Sequence, residues 1–249
     1  LTIHLKRKFP QHSVNAVIQC AGNRRSEFNR KLEGKPPVKG LGWNPGAISN
    51  AIWTGPRLRE VLQYVYGDMG VPDEVTTDGH VQFWGRDGDG QHNYGASVPA
   101  PKVFSDNGDV ILALEMNGEP LPIDHGWPVR VLVPGSAGAR NVKWLSRVCL
   151  ELEESPSFWQ KNDYKFLQEH SEENAEDAEA LQVMPVTSAI CHPVGGATVP
   201  LDDQNEFVCK GYAYSGGGRR VKEVDVSIDG GKTWSQAMME GHPEVRHDR

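Results

Sequence analysis

No apolar run in this 249-residue chain approaches the ~18 residues that a membrane-spanning helix needs, so no span is expected. There is no excess of positive charge. Lys and Arg total 26 against 33 Asp and Glu, a formal net charge of -7, which argues against wholesale binding to nucleic acid. Cysteine is scarce. Cys20, Cys149, Cys191 and Cys209 form no CxxC pair, which removes support for a zinc ribbon or a disulfide scaffold. No internal repeat is visible, and no initiator Met, signal peptide or transit peptide precedes Leu1. Both ends are expected to have been cut from a longer chain.

What is there reads as soluble and globular, with 38% hydrophobic and 24% charged residues. The length suits one large domain or two ordinary ones. Residues 1–165 carry short apolar runs separated by Gly and Pro turns, as at Ala16–Ile18, Val110–Leu114 and Val129–Val133. One helix is expected at Pro56–Val65, where Leu58, Val61, Leu62 and Val65 fall on one face and Pro56 suits the first turn. Residues 168–180 hold six acidic side chains and no Lys or Arg, the signature of a solvated loop or weak helix. From 185 the chain reads as a β module. Strands are expected at Phe207–Tyr214 and Val221–Ile228, with a hairpin turn at Asp229-Gly230-Gly231. The expected organisation is a first domain over 1–165, an acidic linker over 166–183 and a second domain from 184 to 249.

The chemistry concentrates around Cys20. The strand-like run Val17-Ile18-Gln19 delivers a thiol to a Gly22-Asn23 turn, and Arg24 and Arg25 follow at once. Thiolate is the metal-binding form of cysteine, and neighbouring positive charge favours it. A soft sulfur ligand beside guanidinium groups suits a metal centre that handles a small oxyanion. Taken alone, the segment also fits a buried free cysteine at a strand end.

Six blocks decide between these. They are Cys20-Ala21-Gly22-Asn23-Arg24-Arg25, Gly46-Ala47-Ile48-Ser49, Glu115–Pro122, Asp124-His125-Gly126-Trp127-Pro128-Val129-Arg130, Gly138–Trp144, and Lys210–Arg219 with Asp229–Trp234. In this order they resemble the molybdenum domain of the sulfite oxidase family, which includes the assimilatory nitrate reductases. The resemblance covers nearly the whole chain. It implies an α+β fold, with a mixed molybdopterin-binding domain followed by an incomplete immunoglobulin-like β-sandwich. It also implies oxidation of sulfite to sulfate by oxygen-atom transfer at a Cys-ligated Mo-molybdopterin.

By the same resemblance Cys20 is the molybdenum ligand. Asp87, His125, Arg130, Asn141, Val142 and Lys143 match the pterin-binding residues, and the Gly135-Ser136-Ala137-Gly138 turn offers backbone N–H groups to a phosphate. Arg25, Trp43 and Tyr164 match the anion pocket, with Arg25 and Tyr164 as catalytic partners of Cys20. Taken singly, Asp87 fits a turn, Arg130 a strand edge, His125 a structural histidine, and Trp43 and Tyr164 ordinary packing. Asp163-Tyr164-Lys165 and Glu115-Met116-Asn117-Gly118 follow the sulfite branch rather than the nitrate branch. Lys31–Pro37 reads as an insertion that lengthens the loop before Trp43. The family implies a homodimer of the full-length protein, an electron acceptor (cytochrome or oxygen) that this chain does not identify, and a haem only on a further domain. It places relatives in the mitochondrial intermembrane space or in peroxisomes. Two alternatives stay open on the sequence: the molybdenum domain of a nitrate reductase, and a cofactor-free relative or interaction module.

Overall fold

The computed structural model describes residues 1–32, 34, 36–166 and 178–239. The chain divides into two compact units, Leu1–Met184 and Pro185–Arg249.

The first unit opens with helix α1 (Thr2–Lys8), strand β1 (His12–Gln19), helix α2 (Arg25–Lys31), strand β2 (Ile48–Gly55) and helix α3 (Leu58–Tyr66). Helix α4 (Asp73–Asp78), strands β3 (His80–Gly88) and β4 (Asn93–Pro99) and helix α5 (Ala100–Phe104) follow. Short strands β5 (Ile111–Ala113), β6 (Glu115–Met116), β7 (Glu119–Pro120) and β8 (Arg130–Leu132) lead to β9 (Leu145–Glu151) and helix α6 (Phe158–Lys161). Three antiparallel sheets result, ordered β1-β2-β6-β7, β4-β3-β9 and β5-β8. The mixture of short helices and antiparallel sheets is the α+β class that the blocks implied.

The apolar runs follow from two cores that share one wall. Along β8 and its flanks, Val129, Val131 and Val133 enter the larger core, while Leu132 enters the smaller. Along β5 and its flanks, Val110, Leu112 and Leu114 enter the larger core, while Ile111 and Ala113 enter the smaller. A strand buried on both faces has no polar side to show, so its sequence is continuously apolar. In β1 the pattern alternates instead: Val14 and Ala16 are buried in the smaller core with Trp53 of β2. Strand β1 pairs with β2 over its whole length, from His12↔Gly55 to Gln19↔Ile48, and so carries the chain straight to Cys20.

The expected helix begins two residues late, at Leu58. Pro56 stands before the N-cap residue Arg57 rather than in the first turn, and Val65 is 68% exposed. Leu58, Leu62 and the partly buried Val61 do the packing, because the last turn runs past the edge of the core.

Within the stretch expected as a linker, residues 167–177 lie outside the described residues, as do Glu33 and Lys35 of the insertion. Residues 178–184 are pinned to the first unit. Lys165 pairs with Ala180 and Ser136 with Val183. The Leu181 N–H donates to the Tyr164 carbonyl at 2.8 Å, and Ala137 N–H to the Gln182 carbonyl at 2.9 Å.

Among its described residues the second unit holds two hairpin pairs, β10 (Thr187–His192) with β11 (Lys210–Tyr214) and β12 (Asp225–Val226) with β13 (Ser235–Gln236). Both expected strands are shorter than their apolar patterns, and Ile228 is 93% exposed. At the end of the second of these the reason is Asp229. Its carboxylate accepts the N–H groups of Lys232 and Thr233 at 3.0 and 2.9 Å and the hydroxyls of Ser227 and Thr233 at 2.8 and 2.7 Å. That knot turns the chain before Ile228 can join the ladder.

Candidate active site

Cys20 is half-buried where β1 ends, and its N–H donates to the Ala47 carbonyl at 2.9 Å. The Gly22 N–H donates to Cys20 Sγ at 3.4 Å, the contact that stabilises negative charge on sulfur. The loop 43–47 staples the turn. Ala47 N–H donates to Asn23 Oδ1 at 3.0 Å, Arg24 N–H to the Asn44 carbonyl at 3.4 Å, and Ser26 N–H to the Trp43 carbonyl at 3.1 Å. Arg24 takes a left-handed conformation (φ 66°) as the N-cap of α2. Its guanidinium turns to Glu27, with Nε and Nη2 donating at 2.9 and 2.6 Å, and this holds the Glu27 carboxyl below its ordinary range. The two arginines that look alike in sequence therefore do different work.

Arg25 is held by glycines. A Cβ on Gly22 or on Gly40 would fall within 3.0 Å of the Arg25 guanidinium. Only the bare backbone leaves room for the planar group between them, and its Nη1 donates to the Leu41 carbonyl at 2.6 Å. Tyr164 completes the group. Its phenol is held above its ordinary range, first by burial and then by the negative charges of Asp163 and Cys20, while Arg25 and Arg140 oppose the shift. Cys20, Arg25 and Tyr164 thus share one electrostatic environment, with the phenol kept protonated as a hydrogen-bond donor. The Tyr164 backbone is left-handed, at φ 49°. Trp43 contributes its carbonyl to α2, and its ring is 44% exposed.

A second group surrounds Asp87. Its Oδ1 is buried without a hydrogen-bond partner among the described residues. Burial holds the carboxyl above its ordinary range, against a hydrogen bond from its own backbone and then the charge of Lys143. Arg130 Nε is likewise buried and unpartnered, and burial pushes the guanidinium down to about 10, still protonated at neutral pH. Arg130 otherwise stacks over the Trp53 ring at 4.8 Å and donates to the His125 and Asn141 carbonyls at 3.0 and 2.9 Å. The Lys143 ammonium donates to the Asp124 carbonyl at 2.9 Å. An orphaned acceptor and an orphaned donor, both buried, are what a polar ring with its own N–H and acceptor atoms would satisfy. Asp87, Arg130 and Lys143 therefore fit a pterin with its phosphate. Tyr94 adjoins both groups, since Asp87 and Tyr164 both act on its phenol, which burial pushes far up. Its hydroxyl donates to the Ala139 carbonyl at 2.7 Å.

Other nominated side chains are spent internally. Asn141 Oδ1 accepts the Val133 N–H at 2.7 Å, and its Nδ2 donates to the Ala137 carbonyl at 3.1 Å. Val142 lies in the larger core. The Asn141 amide thereby shapes the turn, and Val142 has no polar side-chain atom to offer a ligand. His125 is exposed and engaged through its carbonyl. The sequence reading passed over Gln19, buried beside Cys20 with an unpartnered Oε1, the glycines that cradle Arg25, and the buried Arg140. A buried polar residue directly before a nucleophilic or ligating side chain is the signal that could have marked Gln19.

Against this geometry the comparisons are clear. The family model "Oxidoreductase molybdopterin binding domain" matches residues 2–159, and "Mo-co oxidoreductase dimerisation domain" matches residues 178–249. A sulfite oxidase from Gallus gallus is 51% identical over 95% of this chain and 50% of its own length. A mitochondrial sulfite oxidase from Drosophila melanogaster is 48% identical over 99% of this chain and 43% of its own. The crystal structure of the sulfane dehydrogenase SoxCD from Paracoccus pantotrophus superposes with a TM-score of 0.70 at 30% identity, over 95% of this chain and 55% of that one. The chain thus spans about half the length of the curated relatives it matches. From the first unit's match and the orphaned polar atoms that suit the cofactor, the chain belongs to the molybdopterin-binding oxidoreductases, with the family's dimerisation domain matched over residues 178–249.

Proposed function

We propose that the full-length protein oxidises sulfite to sulfate, with water supplying the oxygen and two electrons and two protons released. The observation that carries the reading is the Cys20 thiol at the end of β1, held by the Gly22 N–H, in the same turn whose Gly22 and Gly40 cradle the Arg25 guanidinium. When bound, the molybdenum cofactor supplies the two-electron redox step and oxygen-atom transfer. The chain's own residues bind and orient. Cys20 offers one soft sulfur ligand at the end of strand β1, with the Gly22 N–H donating to it at 3.4 Å. Asp87, Arg130 and Lys143 hold the pterin. Arg25 presents a guanidinium fork that matches an oxyanion, and its bond to Leu41 leaves further N–H groups for substrate. Tyr164 keeps its proton and donates one hydrogen bond to the anion. Asp163-Tyr164-Lys165 favours sulfite over nitrate, because the phenol fills space that an amide would leave. The dimerisation-domain match supports a homodimer, and the Drosophila relative's name supports a mitochondrial location.

The test is sulfite oxidation against nitrate reduction by the full-length holoenzyme and its Tyr164→Asn variant, each per bound molybdenum. The unmutated enzyme should prefer sulfite, and Tyr164→Asn should lose sulfite turnover with little gain on nitrate. A preference for nitrate in the unmutated enzyme overturns the proposal.

A further inference from the structure

We propose that Arg140 is a positioning residue for the anion pocket: its buried guanidinium holds Tyr164 in place and keeps a positive charge behind it. This rests on the reading of Tyr164 as a pocket residue. Arg140 has no exposed surface, and it ends the 3-10 turn Gly138–Arg140. Its Nε donates to the Leu181 carbonyl at 3.0 Å, Nη2 to the Tyr164 carbonyl at 3.1 Å, and Nη1 to Gln160 Oε1. One planar group therefore ties together both chains of the small ladder at Lys165↔Ala180 and anchors them to α6. The Tyr164 carbonyl takes a second donor, the Leu181 N–H at 2.8 Å. A non-glycine residue with φ 49° persists only where its surroundings over-determine it, and Arg140 supplies a large part of that constraint.

The charge is also informative. No carboxylate forms an ion pair with Arg140 among the described residues. Compensation is indirect: Gln160, itself fully buried, accepts from Arg140 and donates through Nε2 to Glu154 at 2.9 Å, and the Glu154 and Asp163 charges act on the guanidinium through space. Burying a cation without a touching counter-ion is costly, and a neutral side chain would spare that cost. Beside a pocket built for a small anion, a fixed buried positive charge strengthens the field at the substrate. Arginine rather than lysine is required because three acceptors in different directions need a planar fork, which an ammonium on a flexible stem cannot replace.

The experiment is a double-mutant cycle of Arg140→Lys and Tyr164→Phe in the full-length holoenzyme. It reads KM and kcat for sulfite per bound molybdenum, together with sulfate affinity by calorimetry. Arg140→Lys keeps a basic group and loses the fork. It should raise KM and weaken sulfate binding about tenfold, the worth of one well-placed hydrogen bond, with kcat and molybdenum content nearly unchanged. In the Tyr164→Phe background the same change should fall below about twofold. Should Arg140→Lys fail to fold, Gln160→Met, which removes one acceptor, must show the same Tyr164-dependent shift. Equal effects in both backgrounds, unchanged kinetics, or a loss of molybdenum with normal kinetics per metal overturns the proposal. If the unmutated enzyme binds sulfate but does not oxidise sulfite, the functional reading falls, and the cycle in sulfate affinity still decides on Arg140.

Discussion

Replacing Gly22 by alanine perturbs the anion pocket through one added methyl group. The new Cβ would overlap the Arg25 guanidinium, with Cζ and both Nη atoms inside 3.0 Å and Nη1 at 2.8 Å. Ordinary contact begins near 3.4 Å, so the farthest of these atoms must retreat by more than half an ångström and the nearer ones by more. The obstacle is the far end of a flexible side chain, so the fold yields easily. Gly22 has no left-handed φ, and alanine there stiffens the unfolded chain by about 0.4–1 kcal/mol. The thermal midpoint should therefore hold or rise slightly. The pocket responds differently. The displaced guanidinium gives up the 2.6 Å bond to Leu41 and its aim at the anion. Losing one charge-assisted hydrogen bond costs about 1.5–3 kcal/mol, a fall of about 10- to 150-fold in kcat/KM at 1.36 kcal/mol per decade. The assay is sulfite oxidation by the holoenzyme per bound molybdenum, beside Arg25→Gln and the Gly22→Ala/Arg25→Gln double variant. The double variant should be no worse than Arg25→Gln alone. Gly22→Ala within threefold of the unmutated enzyme, at equal molybdenum content, would refute the cradle.

The same site yields further expectations. Cys20→Ser should fold with little change in thermal midpoint and lose turnover, because a hard oxygen replaces a soft sulfur ligand; turnover at the unmutated level would sink the ligand assignment. Asp87→Asn should lower bound molybdenum and released pterin, while raising the thermal midpoint of the cofactor-free protein by relieving an orphaned buried carboxylate. The Asp87 carboxyl stands above its ordinary range when folded. The folded state therefore holds the proton more tightly, and the cofactor-free protein should lose stability as pH rises through that window; a flat profile identical to that of Asp87→Asn contradicts the assignment. In the second unit Asp229 is held down to about 2 by its four hydrogen bonds. Its contribution should be complete above the ordinary carboxylate range and fade as pH falls toward 2, an effect absent from Asp229→Ala in acid denaturation.

The sequence alone settled the local parts of this protein. The short apolar runs at Ala16–Ile18, Val110–Leu114 and Val129–Val133 marked core segments between Gly and Pro turns, and the CAGNRR turn announced Cys20. Each of these is a short-range pattern, and short-range physics is legible in one dimension. Tertiary structure decided what the pattern left equal. Arg24 and Arg25 stand side by side in sequence, yet one pairs with Glu27 and the other slides between Gly22 and Gly40, because Gly40 arrives from a distant loop. Asn141 and Val142 look as available as Lys143, but their side chains serve the turn and the core, while Asp87 and Arg130 keep buried atoms without partners. Tyr164 takes its left-handed backbone where two donors distant in sequence, Arg140 and Leu181, both reach its carbonyl. Packing assigns such roles, since which polar atoms remain unsatisfied depends on every neighbour that folding brings to them.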